Sequence, residues 1–169
     1  AECLHLALCP VGRAEQLAGP LESALLAAGE AVAAQEFSAS FDLVLRLSAR
    51  DGQFPLVACG DQMTTDAALT VRKAIAEAQA AHGLRVGAVS SFLPHVELMQ
   101  GPAMDAIQEP VPPISWRVSE FVLVRTFFGQ SRHAIVGRWR LAPKRVQAPI
   151  DLLEEIRNLP DFPLLPDED

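Results

Sequence analysis

Apolar and polar side chains alternate in two short stretches, one at the start of the chain and one past its middle. In residues 4–8 every second position is leucine, and residues 94–98 also alternate apolar with polar side chains. Successive side chains of a β-strand point to opposite faces. Each stretch therefore predicts a strand with one apolar face, whose other face carries His5 in the first stretch and His95 in the second.

The spacing of leucine and alanine predicts two helices between these stretches. The first covers residues 13–34, where Gly19-Pro20 either begins the regular helix, with proline in its first turn, or kinks it. The second runs from about Thr65 to His82, with Gly83 as the residue that stops it.

Further strands follow from alternation and from turn residues. Residues 41–47 and 54–59 predict an antiparallel pair, and the prolines of residues 101–113 predict a loop. Two β-rich runs, 115–128 and 133–141, predict a hairpin in which Trp116 and Trp139 belong to the core. Residues 150–159 suit a short helix, and the acidic, proline-containing end is expected to be peripheral.

Composition fits a globular protein. Half of the 169 residues are hydrophobic, enough for the core of a single domain. No apolar run reaches the roughly 20 residues of a membrane helix, and no basic-then-apolar leader opens the chain, so we expect a cytoplasmic protein without a membrane partner. The three cysteines lack a C-x-x-C spacing, which favours reduced thiols over zinc ligands or disulfides.

Charge is distributed unevenly. The net charge of −7 argues against a protein that coats a long nucleic-acid duplex, because such affinity depends on cations that neutralise phosphates. Residues 116–145 nevertheless carry seven basic side chains and one acidic, whereas residues 151–169 carry seven acidic and one basic. The basic region fits a small anionic ligand or an RNA end, and a solvent-facing strand accounts for it equally well.

The two histidine stretches resemble the paired His-x-Thr/Ser-x motifs of the 2H phosphoesterase superfamily. The bacterial 2′-5′ RNA ligase group, also described as RNA 2′,3′-cyclic phosphodiesterases, is the most similar branch, and residues 115–141 resemble its closing hairpin. The resemblance implies an α+β, bilobal fold in which two antiparallel sheets flank a central cleft, with helices on the outside. It assigns residues 1–142 to this single domain, without the strand and helix that usually open the family, and leaves 143–169 as an acidic extension.

The same resemblance implies an activity. A monomer without metal or cofactor would hydrolyse the 2′,3′-cyclic phosphate of a nucleotide or RNA end to a 2′-phosphate. His5 and His95 would act as general acid and base, in either assignment. Further substrate contacts are expected from the hairpin region, namely Arg125, Phe128, Arg132 and His133.

This chain departs from the family pattern where the motifs have Thr or Ser. Ala7 cannot donate a hydrogen bond to a phosphate oxygen, and an ionised Glu97 repels phosphate unless an arginine such as Arg125 or Arg132 pairs with it. Two hypotheses follow. The chain is an enzyme with an altered phosphate pocket in which an arginine compensates, or it is a 2H-fold protein that binds a nucleotide or RNA end without turnover.

Overall fold

The computed structural model describes residues 4–12, 19–48, 52–87, 89, 92–101, 105–127 and 132–144. Within these ranges lie two helices and six strands: α1 (Gly19–Glu30), β1 (Phe37–Arg46), β2 (Leu56–Gly60), α2 (Gln62–Ala81), β3 (His95–Met99), β4 (Gln108–Val118), β5 (Glu120–Phe127) and β6 (Arg132–Arg140). The strands form a four-stranded sheet in the order β3-β2-β1-β4 and a two-stranded sheet of β5 and β6. The four pairings between these strands are antiparallel, which confirms the predicted α+β class with two antiparallel sheets.

Proline, a capping aspartate and glycine mark the described ends of the helices. The described part of α1 begins at Gly19, with Pro20 in its first turn. Residues 13–18 lie outside the described residues, so the choice between a helix that begins at Pro20 and one that is kinked there stays open. Asp61 caps α2, because its carboxylate accepts a hydrogen bond of 2.7 Å from the backbone N–H of Thr64. Beyond α2, Gly83 has a φ of +74°, a backbone conformation that favours glycine. Neither described helix is long and apolar enough to cross a membrane.

Residues 4–8 do not form the predicted strand. Leu6 makes a single antiparallel bridge, to Val96 of β3, and its side chain packs against the apolar cluster that contains Val96. The next apolar residues, Leu8 and Cys9, pack instead against a separate cluster that includes Val71 of α2. Burial of these two side chains thus accounts for the chain leaving the edge of β3 after one bridge.

The predicted loop over residues 101–113 is wrong in its second half, which belongs to β4. Phe41 pairs with Ile114 and Leu43 pairs with Pro110, so residues 111–113 all stand opposite one residue of β1. Such a bulge needs no ladder hydrogen bonds from its prolines. Among the described strands β4 pairs only with β1, so its other edge also tolerates residues without an N–H.

The β-rich run 115–128 is two strands rather than one. It breaks at Ser119, where β4 ends in the first sheet and β5 begins in the second. The predicted hairpin itself is confirmed, because β5 and β6 pair from Glu120 with Arg140 to Phe127 with Arg132. The turn between these strands, residues 128–131, lies outside the described residues.

The core lies between the four-stranded sheet and α2 and extends toward the hairpin. One cluster centres on Ala39, Phe41 and Val96, a second on Val71, Ile75 and Leu141, and Phe37 and Val118 contact both. Trp116 was expected in the core but is 42% exposed, because it stacks on the outside of Phe41 with ring centroids 4.7 Å apart. Trp139 is half-buried and stacks on Phe121. The predicted helix at 150–159 and most of the acidic extension lie outside the described residues.

Candidate active site

The bridge between Leu6 and Val96 aligns the two histidine stretches side by side. In this antiparallel bridge the flanking positions are His5 and Glu97 on one side and Ala7 and His95 on the other. Val96 is 5% exposed and packs against Leu6, so alternation turns these four motif positions away from that cluster. The bridge thus brings the two motif stretches together at one edge of the first sheet.

The two histidines are diagonal neighbours across this bridge. Diagonal residues of paired strands are separated by roughly 7–8 Å between Cα atoms, within reach of long side chains. The Nδ1 atom of His95 lies 2.8 Å from the carbonyl oxygen of Leu93. Because a carbonyl only accepts, Nδ1 carries the proton, and the Nε2 atom of the neutral ring has a lone pair that can take up a proton.

The β5–β6 hairpin contacts the first motif stretch through His133. The ring of His133 meets the ring of His5 edge to face, with centroids 5.3 Å apart and an interplanar angle of 66°. His133 pairs with Thr126 across β5 and β6, and the Thr126 hydroxyl lies 3.0 Å from His133 Nδ1. The sequence predicts His133 but not Thr126, which could have been found only from the hairpin register.

An apolar pair lies next to these polar residues on the hairpin. Val124 pairs with Ile135 two positions along from the Thr126–His133 pair, so the four side chains share a face. The exposed fractions are 37% for Val124 and 54% for Ile135. Two residues of strand span roughly 6.8 Å, which is comparable with the separation of phosphate and base in a nucleotide.

Arg125 forms an ion pair on the opposite face of β5. Its guanidinium donates a hydrogen bond of 2.6 Å to a carboxylate oxygen of Glu22 in α1, and each side chain is about one-third exposed. The Nε atom of Arg125 is buried and has no hydrogen-bond partner among the described residues. Since Arg125 neighbours Thr126 along β5, alternation directs it to the opposite side of the strand.

The remaining predicted site residues are placed only in part. Arg132 opens β6 opposite Phe127, and its side chain is not described. Phe128 lies outside the described residues. The side chains of Glu97 and Ala7 are both exposed.

A buried thiol lies behind the motif edge. Cys59 pairs with His95, is 2% exposed, and burial raises the pKa of its thiol, so the nucleophilic thiolate is disfavoured. Within the described ranges, histidines, cysteines and carboxylates form no group of three that could hold a metal ion.

Comparison with known proteins identifies the fold. No protein-family model and no curated protein sequence matches the chain. Among solved structures, it is similar to the apo form of E. coli LigT, with a TM-score of 0.61 and 24% identity over 82% of this chain and 76% of that one. LigT complexed with 3′-AMP gives a TM-score of 0.59 and 22% identity over the same shares.

A third similar structure is TT0787 of Thermus thermophilus, with a TM-score of 0.55 and 20% identity over 83% of this chain and 79% of that one. LigT is also known in complexes with phosphate and ATP. Identities of this size establish the fold alone. The chain therefore has the LigT-like fold, and the resemblance to 2H phosphoesterases is confirmed at that level.

Proposed function

We propose that this chain hydrolyses the 2′,3′-cyclic phosphate of a nucleotide or RNA end to a 2′-phosphate. The observation that supports the proposal is the Leu6–Val96 bridge, which joins the two stretches that carry His5 and His95. In-line displacement at phosphorus needs a base near the attacking water and an acid near the leaving oxygen. A separation of roughly 7–8 Å between the backbones of two long side chains leaves room for a phosphate.

The hydrogen bond of His95 supports an assignment of roles. With Nδ1–H held by the Leu93 carbonyl, Nε2 can accept a proton from the attacking water. The water oxygen bonds to phosphorus, the bond from phosphorus to O3′ breaks, and protonated His5 gives its proton to O3′. The products are a 2′-phosphate and a free 3′-hydroxyl, which balances the atoms of the cyclic ester and one water molecule.

The exposed pair Val124 and Ile135 fits the nucleoside part of the substrate. A flat base can pack on these side chains while the phosphate lies near His5, and the known complexes of LigT with 3′-AMP and with phosphate agree with such ligands for the fold. Arg132 and Phe128 remain predicted contacts. A monomer that acts in the cytoplasm without metal or cofactor also remains part of the proposal.

Binding without turnover is the second candidate function, and one observation favours it. Glu97 is exposed and stands across from His5, where a carboxylate repels a phosphate, while Ala7 offers no donor. A protein of this kind would hold a nucleotide by its base and phosphate without cleaving it.

Incubation with a nucleoside 2′,3′-cyclic phosphate in the presence of EDTA, followed by phosphorus NMR, separates the two candidates. We expect the 2′-phosphate to accumulate with the wild-type protein and to be lost in His5→Ala and His95→Ala. His82→Ala is the matched control, because His82 caps α2 through the Ala78 carbonyl. Binding of the substrate without any product would reject hydrolysis and support the second candidate.

A further inference from the structure

The first motif stretch lacks a phosphate donor at Ala7. The family pattern has a hydroxyl there, and loss of one donor to a charged oxygen commonly costs about 10-fold or more in affinity or rate. On the hairpin, Thr126 and His133 present a hydroxyl and an imidazole in direct contact with each other. The His133 ring also contacts the ring of His5, which is two residues from Ala7 in the sequence.

We propose that the Thr126–His133 pair supplies, from the hairpin, the phosphate-binding donor that Ala7 lacks. The inference rests on the proposed function, because it concerns the phosphate of the same substrate. It also differs from the expectation that an arginine compensates: Arg125 is paired with Glu22 of α1, on the other side of β5.

Hydrogen-bond chemistry gives each member of the pair a role. The Thr126 hydroxyl and His133 Nδ1 lie 3.0 Å apart, and a hydroxyl can donate or accept in such a hydrogen bond. The proposal uses the tautomer in which Thr126 donates and the proton of the neutral ring resides on Nε2, so that Nε2–H donates a hydrogen bond to a phosphate oxygen. Thr126 is then a positioning residue that holds the ring, and His133 is the residue that touches the substrate.

Exposure of His133 separates this role from a structural one. The side chain is exposed, so its truncation removes little packing. A lost phosphate contact, by contrast, weakens the binding of any ligand that carries the phosphate. His133→Gln keeps an N–H donor at nearly the same reach and is expected to retain part of the affinity that His133→Ala loses.

Calorimetric titration with a nucleoside 2′-phosphate, the expected product, tests the inference without requiring turnover. We expect His133→Ala to weaken binding by roughly 10- to 100-fold and Thr126→Val by less, while Thr126→Ser binds as the wild type does. Thr70→Val is the matched control, because the Thr70 hydroxyl donates a hydrogen bond to the Asp66 carbonyl within α2. Thermal unfolding of each variant confirms that it is folded.

Restoring the family hydroxyl gives the sharper result. Ala7 is exposed, so Ala7→Ser adds a donor without steric conflict. If His133 substitutes for that donor, Ala7→Ser should recover most of the affinity lost in His133→Ala and improve the wild type much less. Equal improvement in both backgrounds, unchanged binding in His133→Ala, or no binding by the wild type would each overturn the inference. Failure to hydrolyse the cyclic substrate would overturn only the proposed function.

Discussion

Replacing Glu97 changes the charge beside the proposed phosphate site. In the register set by the Leu6–Val96 bridge, Glu97 is directly across from His5, where Cβ atoms of paired residues lie roughly 4.5–5.5 Å apart. A phosphate that accepts a proton or hydrogen bond from His5 would then lie about 6 Å from the carboxylate. The two negative groups repel each other over that distance.

Coulomb's law gives the size of the effect. Two unit charges about 6 Å apart interact by about 2.8 kcal/mol at an effective dielectric constant near 20 and by about 0.7 kcal/mol in bulk water. Glu97 is exposed, so the lower half of this range is expected. Removing the charge should therefore raise kcat/KM by roughly 3- to 20-fold, since about 1.4 kcal/mol corresponds to a factor of ten.

Initial rates with a nucleoside 2′,3′-cyclic phosphate measure this change. Glu97→Gln removes the charge at nearly constant size, and Glu97→Thr also restores the motif hydroxyl, so we expect Thr to exceed Gln. Salt screens exposed charges, and the advantage of Glu97→Gln should shrink as the ionic strength rises. Unchanged rates in Glu97→Gln would show that the carboxylate does not sense the phosphate, and a fall in rate would show that Glu97 assists the reaction.

Three further predictions concern the scaffold. Gly29→Ala should destabilise the protein by about 1–2 kcal/mol in urea unfolding, because the added methyl overlaps the indole of Trp139. The free-energy cost of this overlap exceeds the gain in helix propensity. Gly19→Ala, where the methyl enters open space, should not destabilise the protein. Native Cys59 should resist alkylation until the protein unfolds, because burial raises its thiol pKa. The hydrogen bond from Arg117 holds the pKa of Glu36 below its usual value, so ionised Glu36 stabilises the folded protein at pH values above its unfolded pKa. The free energy of unfolding should therefore fall with acid in the wild type and fall less in Arg117→Ala. Urea unfolding from about pH 7 to about pH 3 measures this difference.

Local sequence signals predicted the elements that depend on near neighbours. α2 was readable from its apolar spacing and from Gly83, and β3 from the alternation around His95. These features need no knowledge of distant contacts. The strand predicted over residues 4–8 was reduced to the single bridge from Leu6 to Val96, so the alignment of His5 with His95 stays a prediction.

Long-range pairing determined what the sequence could not predict. The prolines of β4 are compatible with a strand only because they lie in a bulge opposite β1 and at an edge, and this depends on the partner strand. The break at Ser119 depends on which sheet each half joins. Thr126 enters the candidate site only through the register that pairs it with His133.

A double-mutant cycle on His5 and His95 is the most direct measurement of the proposed acid–base pair. Groups that act together in one step are strongly non-additive, since removing either already disables the step. We therefore predict that His5→Ala combined with His95→Ala lowers kcat for a nucleoside 2′,3′-cyclic phosphate little further than the worse single variant does. Losses that multiply, or single variants that keep wild-type kcat, would contradict the account.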